Sequence, residues 1–249
     1  MENRETLKNQ AIEKRESGNL QEALELFKSV EQLDISDGNV RGQLDILGHI
    51  RITYSRLAEE ETDLHKRKEY RKMAMNVVDE AITVGEQNAD ISQGALVIQK
   101  VHLASSLLDY SKELANHEKQ VVLETALKNV EEAVRDLPGS KAHKSWPCNT
   151  EAQILLELGQ YDKAFKTAQQ GETWLFEGYD EEVRADDQAE MKLNVWLSGL
   201  HLTMGRICAA QNKKFLARQY AVSVLAIEDH KNTLHARKHD AQKLLDSLK

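Results

Sequence analysis

Small and apolar residues recur at three- and four-residue steps over most of the chain. That is the spacing of helices that bury one face and expose the other. The clearest run is Gly159-Gln160-Tyr161-Asp162-Lys163-Ala164-Phe165-Lys166-Thr167-Ala168-Gln169-Gln170-Gly171. Gly159 ends one helix, Tyr161 is expected to plug the corner, and Ala164, Ala168 and Gly171 then share one face of the next helix. All three are small, so another helix can approach closely along that stripe. Ala152, twelve residues before Ala164, gives the preceding helix a small residue of its own. The pattern predicts a helical hairpin.

The hairpin recurs. Gly18-Asn19-Leu20-Gln21-Glu22-Ala23 repeats the turn, followed by Phe27 and Val30 and preceded by Ala11. Ala74, Val78 and Ala81 repeat the stripe, as do Ala126, Val130 and Ala133, with Pro138 as a stop. Ala217, Ala221 and Val224 repeat it again, with Gly205 upstream. A small residue, a glycine turn, an aromatic and then spaced small residues resemble the tetratricopeptide repeat. The resemblance covers most of the chain. It implies an all-α fold, a TPR-like superhelix (solenoid) of about five helical hairpins plus a C-terminal capping helix, forming a single domain over 1–249.

The family's repeat is 34 residues, whereas the leading alanines at 23, 74, 126, 164 and 217 are 51, 52, 38 and 53 apart. The surpluses are 17, 18, 4 and 19; eighteen residues is about five turns and four is about one at 3.6 residues per turn. Extra residues of that kind lengthen helices without rotating their buried faces, so long helices are expected in place of inserted domains; the polar stretches 59–68 and 115–120 leave loops as the alternative. The expected hairpins are 4–34, 38–87, 91–137, 142–174 and 184–228, with a cap over 233–248. Residues 34–37 read as a polar connection, with Ser36 or Asp37 as a cap, and Gly48 reads as a small packing residue within 40–59. Ser92 or Asp90 opens a helix broad enough in its apolar face to be central. Pro138-Gly139-Ser140 and Trp146-Pro147 read as breaks, and 178–182 as a short acidic connection.

Composition narrows the function. Two prolines in 249 residues suit long helices, and aromatics at 5% argue against sheets. With 33 basic and 41 acidic residues the net charge is −8, which disfavours a nucleic-acid surface. No apolar run is long enough to span a membrane. The charged start, residues 1–14, is not a signal peptide. Cys148 and Cys208 form no framework, so a reducing compartment is expected and the cytoplasm is the default location.

The resemblance implies that the first helix of each hairpin lines a concave side that holds protein or peptide segments. Its template places Lys8 there in the first hairpin and Asp45 and His49 in the second. It places Trp146, Asn149 and Gln153 there in the fourth, and Gly199, Leu202 and Arg206 in the fifth, with Trp196 one turn upstream. The family's clamp for a C-terminal carboxylate needs an Asn one turn after Lys8; Ile12 stands there instead, so no such clamp is expected. Trp and Arg often anchor interfaces, while large aromatics are more often packing residues. Both readings stand for Trp146 and Trp196. Trp174 and Phe176 are read as closing the junction between the last two hairpins.

His230, His235 and His239 cluster near the end, but His235 and His239 alone make a weak metal signature, and none is expected. No cofactor motif and no nucleophile paired with a base appears. The expected function is therefore a non-enzymatic binding scaffold or adaptor. The competing readings are a peptide-signal sensor of the bacterial repeat-regulator type, a 14-3-3-like phosphopeptide binder, and an enzyme on a helical scaffold. Pairing of two copies is left open.

Overall fold

The structure is a computed structural model that describes residues 4–185, 189–229 and 233–249. Among these residues the chain forms twelve α-helices and one short 3-10 turn, with no strand. None of the helices is long and apolar enough to cross a membrane. The helices group into two compact units, residues 1–129 and 130–249.

The first unit contains α1 (Arg4–Glu16), α2 (Leu20–Ser36), α3 (Val40–Glu60), α4 (Leu64–Glu86), α5 (Gln93–Ser111) and the start of α6 (Asn116–Asp136). Its core joins Ala11, Ala23, Phe27 and Val30 to Leu44, Leu47, Ile50, Ala74 and Ala81. The small-residue stripe is buried as the spacing predicts, and each alanine lets a neighbouring helix come close. Gly18 makes the expected turn in the left-handed region, with φ at 84°, where a side chain would be strained. The surplus residues of the long repeats are helix: α3 and α4 run for 21 and 23 residues.

Three details differ from expectation. Residues 34–36 are the last turn of α2. There Asp34 is buried and accepts hydrogen bonds from Arg4, at 2.7 Å, and from Asn39. Asn39, not Ser36 or Asp37, caps α3 by accepting from the Gly42 amide. Gly48 packs against nothing: a Cβ built on it would meet no atom within 4 Å.

The second unit contains the end of α6, the 3-10 turn Lys141–Lys144, α7 (Ser145–Glu157), α8 (Tyr161–Glu177), α9 (Tyr179–Ala185), α10 (Ala189–Ala210), α11 (Lys214–Ala226) and α12 (His235–Ser247). Ala152, Ala164, Ala168, Ala217 and Ala221 are all fully buried. Tyr161 is 37% exposed and plugs nothing. The corner is closed by backbone bonds instead, from the Gly159 and Gln160 amides to Leu156 and Leu155. Pro147 lies in the first turn of α7, where its missing N–H is harmless. The chain does not break there, because the 3-10 turn runs straight into α7.

The acidic run after Gly178 is helix α9, not a connection. Its Glu182 is buried, accepting from Ser140 Oγ and lying 3.2 Å from His143 Nε2. Phe176 is 58% exposed, and Leu175 takes the buried place expected of it. Trp174 is half-buried, with the Lys144 ammonium over its ring.

Candidate functional site

In the first unit a cleft of about 360 Å³ separates α3 from α5. Leu44, Asp45 and Gly48 line it from α3; Ala95, Ile98, Gln99 and His102 line it from α5. Arg41 and Ser92 stand at its exposed edge. The cleft exists because two small residues, Gly48 and Ala95, stand where larger side chains would fill it. The volume is at the small end of the range for ligand pockets, roughly 300–1,000 Å³.

Gly48 decides how the cleft is read. A glycine inside a helix costs about 0.5–1 kcal/mol relative to alanine. Most other helical glycines in the chain have a packing reason. A Cβ on Gly85 would lie 2.6 Å from Leu96, one on Gly171 would lie 2.9 Å from Cys148 and Leu200, and one on Gly205 would lie 3.0 Å from Leu244. Gly48 has no such neighbour. Its missing side chain leaves the α3 backbone bare along the cleft.

The deep end of the cleft is polar. Burial, and then the charge of nearby Arg51, push His102 down to about 3, so a neutral imidazole faces the space. Beyond it, Arg51 Nε, Ser55 Oγ, Arg71 Nε and Ser106 Oγ are buried without a hydrogen-bond partner. Arg71 lies 3.4 Å from Asp109, which also receives Lys112 at 2.7 Å. Burial raises the pKa of Glu59, against the pull of Arg71. Four orphaned donors in one seam are unusual, because buried polar atoms are nearly always partnered. The signal for this seam lay in the sequence: Gly48, Arg51, Ser55 and Glu59 on α3, and Gln99, His102, Ser106 and Asp109 on α5, repeat at three and four steps. The breadth of apolar residues in α5 hid it.

Lys8 and Asp45 form an ion pair at 2.6 Å, and Asp45 lines the cleft. His49 is turned away to stack on Phe27, with centroids 5.1 Å apart and planes 2° from parallel. Its Nδ1 lies 3.0 Å from Arg15 Nη1. Burial, and then Arg15, lower its pKa. Arg15 and Arg56 both converge on Glu16 at 2.9 Å.

In the second unit Asn149, Gln153 and Thr203 form one network: Thr203 Oγ1 donates to Asn149 at 2.7 Å and accepts from Gln153 at 3.3 Å. Trp146 and Trp196 lie one turn before Asn149 and Gly199, and both are half-buried. Trp196 packs on the Leu175 and Leu200 cluster and meets His143 edge-on. Leu202 is a correction to the groove reading. It is 5% exposed and packs with Ala221, Val224 and Ala241, because α12 lies over this side of α10. The same helix brings Asp240 to Arg206 at 2.7 Å and Arg237 to Ser198 at 2.9 Å. Desolvation lowers Arg237 to about 10.

Two serine–histidine–glutamate clusters occur in this unit. In the first, Ser140 and His143 both address Glu182, so the serine faces the acid and not the imidazole. In the second, Ser223 Oγ lies 2.8 Å from His201 Nδ1, whose Nε2 is 2.7 Å from Glu172. Ser223 also donates to the Tyr220 carbonyl within α11. Inside a helix the backbone N–H groups are spent on the helix itself, so none is free to stabilise an oxyanion. This chain of contacts ties α8, α10 and α11 together. Burial pushes the Cys148 thiol up to about 12, which keeps it unreactive. Among the described residues no three His, Cys, Asp or Glu side chains gather as a metal site; His230 lies outside the described residues.

No protein-family model matches the sequence, and no curated protein matches it. The structure is similar to that of TTC0263, a thermophilic TPR protein of Thermus thermophilus, with a TM-score of 0.60 and 13% identity over 97% of this chain and 100% of that one. A tetratricopeptide repeat protein from Parabacteroides merdae aligns over 98% of both chains at 12% identity, with a TM-score of 0.24. The first likeness establishes the fold: an all-α, TPR-like arrangement of helix pairs.

Proposed function

We propose that the chain is a non-enzymatic scaffold that binds a peptide segment of another protein in the cleft between α3 and α5. The observation that carries this reading is Gly48, a helix-interior glycine with no neighbouring atom, among the described residues, within 4 Å of where a Cβ would stand. A bound segment would lie against the bare α3 backbone there, with an apolar side chain between Leu44 and Ile98. Acceptor groups of the segment would meet Gln99, which lines the cleft. The cleft is preformed, which lowers the ordering cost of binding.

The serine–histidine–glutamate line at Ser223 does not favour catalysis, since it lacks oxyanion donors. A phosphopeptide reader of the 14-3-3 type needs an arginine pair free to take a phosphate. Arg15 and Arg56 converge, but on the chain's own Glu16. The residues proposed for the groove narrow to Asp45 and its neighbours on α3 and α5. Asn149, Gln153, Trp146 and Trp196 form a second, more closely packed candidate face in the other unit.

Titrating the labelled protein with pools of random pentapeptides, followed by amide chemical shifts, tests this. Shifts are expected at Leu44, Gly48, Ala95, Gln99 and His102 and are expected to disappear in Gly48→Leu, which remains folded. Pools that bind without touching those amides, or that bind Gly48→Leu equally well, would overturn the assignment. A ligand-dependent fall in the radius of gyration would add the sensor reading to it.

A further inference from the structure

Aligning the second helices on their leading alanines exposes one that breaks the pattern. Two residues before and five residues after that alanine, α2 carries Gln21 and Lys28, α4 carries Lys72 and Asp79, α6 carries Glu124 and Glu131, and α8 carries Asp162 and Gln169. All eight are polar, and all are exposed. At the same places α11 carries Phe215 and Val222, which are 72% and 51% exposed. Gln219 and Ala226 continue the same stripe down the helix, and Leu216, 41% exposed, flanks it. The stripe borders a shallow depression of about 380 Å³. The helical period fixes these positions as solvent-facing in every other hairpin, so nothing in the fold itself calls for bulky apolar residues here.

The charge around this stripe is equally distinct. From Met191 to Ile227 the sequence has no Asp or Glu, although the whole chain has 41. The same stretch carries Lys192, Arg206, Lys213, Lys214 and Arg218. Lys213, Lys214 and Arg218 are exposed and stand within one turn of Phe215. An apolar stripe one helix wide beside three exposed cations fits a narrow range of partners.

We propose that this face of α11 docks an acidic amphipathic helix of a partner protein. Apolar residues of that helix, spaced at three and four, cover Phe215 and Val222, and its carboxylates meet Lys213, Lys214 and Arg218. Charge argues against a symmetric pair of copies through this face, because it would set one basic edge against another. A membrane surface is disfavoured because the stripe is a single helix row with three adjacent cations, whereas interfacial helices bury a broad face against many. The site is separate from the α3–α5 cleft and stands or falls without it.

The test is a selection of random 16-residue peptides displayed on phage against the full-length protein, with two variants as counter-screens. Phe215→Asp with Val222→Gln gives α11 the outer residues of α8, at exposed positions, and should leave the melting temperature unchanged. Selected peptides are expected to carry Leu or Phe at helical spacing with Asp or Glu flanking, and to weaken at least about tenfold on that double variant. They should bind Gly48→Leu as they bind the wild type, so failure of the cleft reading and failure of this one are told apart. Selected peptides without the acidic amphipathic pattern, or with full affinity for the double variant, would overturn the proposal. So would wild-type dimerisation in sedimentation, or flotation with phosphatidylserine vesicles, if the double variant abolished it; each would reassign the face.

Discussion

Gly48 and Gly199 sit near the middles of α3 and α10, each the first helix of a hairpin in its own unit. Around Gly199 the space is filled: a Cβ there would meet Asn149 Nδ2 at 3.0 Å and Arg237 Nη1 at 3.2 Å. Around Gly48 it is empty. The second unit uses a glycine to close one helix onto its neighbours. In the first, a glycine leaves a gap between two helices unfilled, and Ser55, Ser106, Arg51 and Arg71 each keep a buried polar atom without a partner. Identical residues in equivalent helices thus do opposite work, and only the neighbours reveal which.

The largest expected effect breaks the filled side. Gly171→Leu in α8 would force a side chain into Cys148 and Leu200, and should lower stability by about 3 kcal/mol or more in urea unfolding. Gly48→Ala should raise it by about 0.5–1 kcal/mol, because it adds helix propensity without a clash. A comparable loss in both would mean that Gly48 is packed after all.

Acid sharpens the comparison next. His49 and His102, both in the first unit, are held below the ordinary histidine value by burial and arginine neighbours, His102 at about 3. Between that value and about 6.5 the unfolded chain binds more protons than the folded one, so stability falls as pH drops through this range. The slope is at most about 1.4 kcal/mol per pH unit for each histidine. Glu31, Glu59 and Asp79, raised by burial, oppose this at lower pH, so the window to measure is pH 5.5–6.5. The unfolding free energy of His102→Gln should be flatter than the wild type's there. Parallel profiles would show that His102 is not buried neutral. All three tryptophans, Trp146, Trp174 and Trp196, lie in the second unit, so amide hydrogen exchange should localise the acid loss to the first.

The smallest effects come from two serines. Ser145 Oγ donates to the Ala142 carbonyl at 2.6 Å and is fully buried; Ser145→Ala should cost about 1 kcal/mol. Ser106 Oγ is buried with nothing to donate to, so Ser106→Ala should be neutral or slightly stabilising. Equal losses would show that Ser106 has a partner, such as a bound water.

The alanine stripe was legible in the sequence because helix nesting needs small residues at fixed steps, and spacing alone encodes that. Asp34 was not, since nothing local shows that Arg4, thirty residues away, will neutralise it. Asp45, expected on the inner face from its register, lines the cleft between α3 and α5. His49 shared that register, but it stacks on Phe27 and does not line the cleft. Leu202 was lost to the groove because burial by α12 is a tertiary fact. Gln99 and His102 belonged to a polar stripe that the apolar bulk of α5 concealed.

The decisive measurement compares wild type and Gly48→Leu in peptide binding and in thermal unfolding together. An empty space over Gly48 predicts an unchanged or higher melting temperature, with binding at the α3–α5 cleft reduced at least about tenfold. A folded Gly48→Leu that binds the same peptides with the same affinity would contradict it.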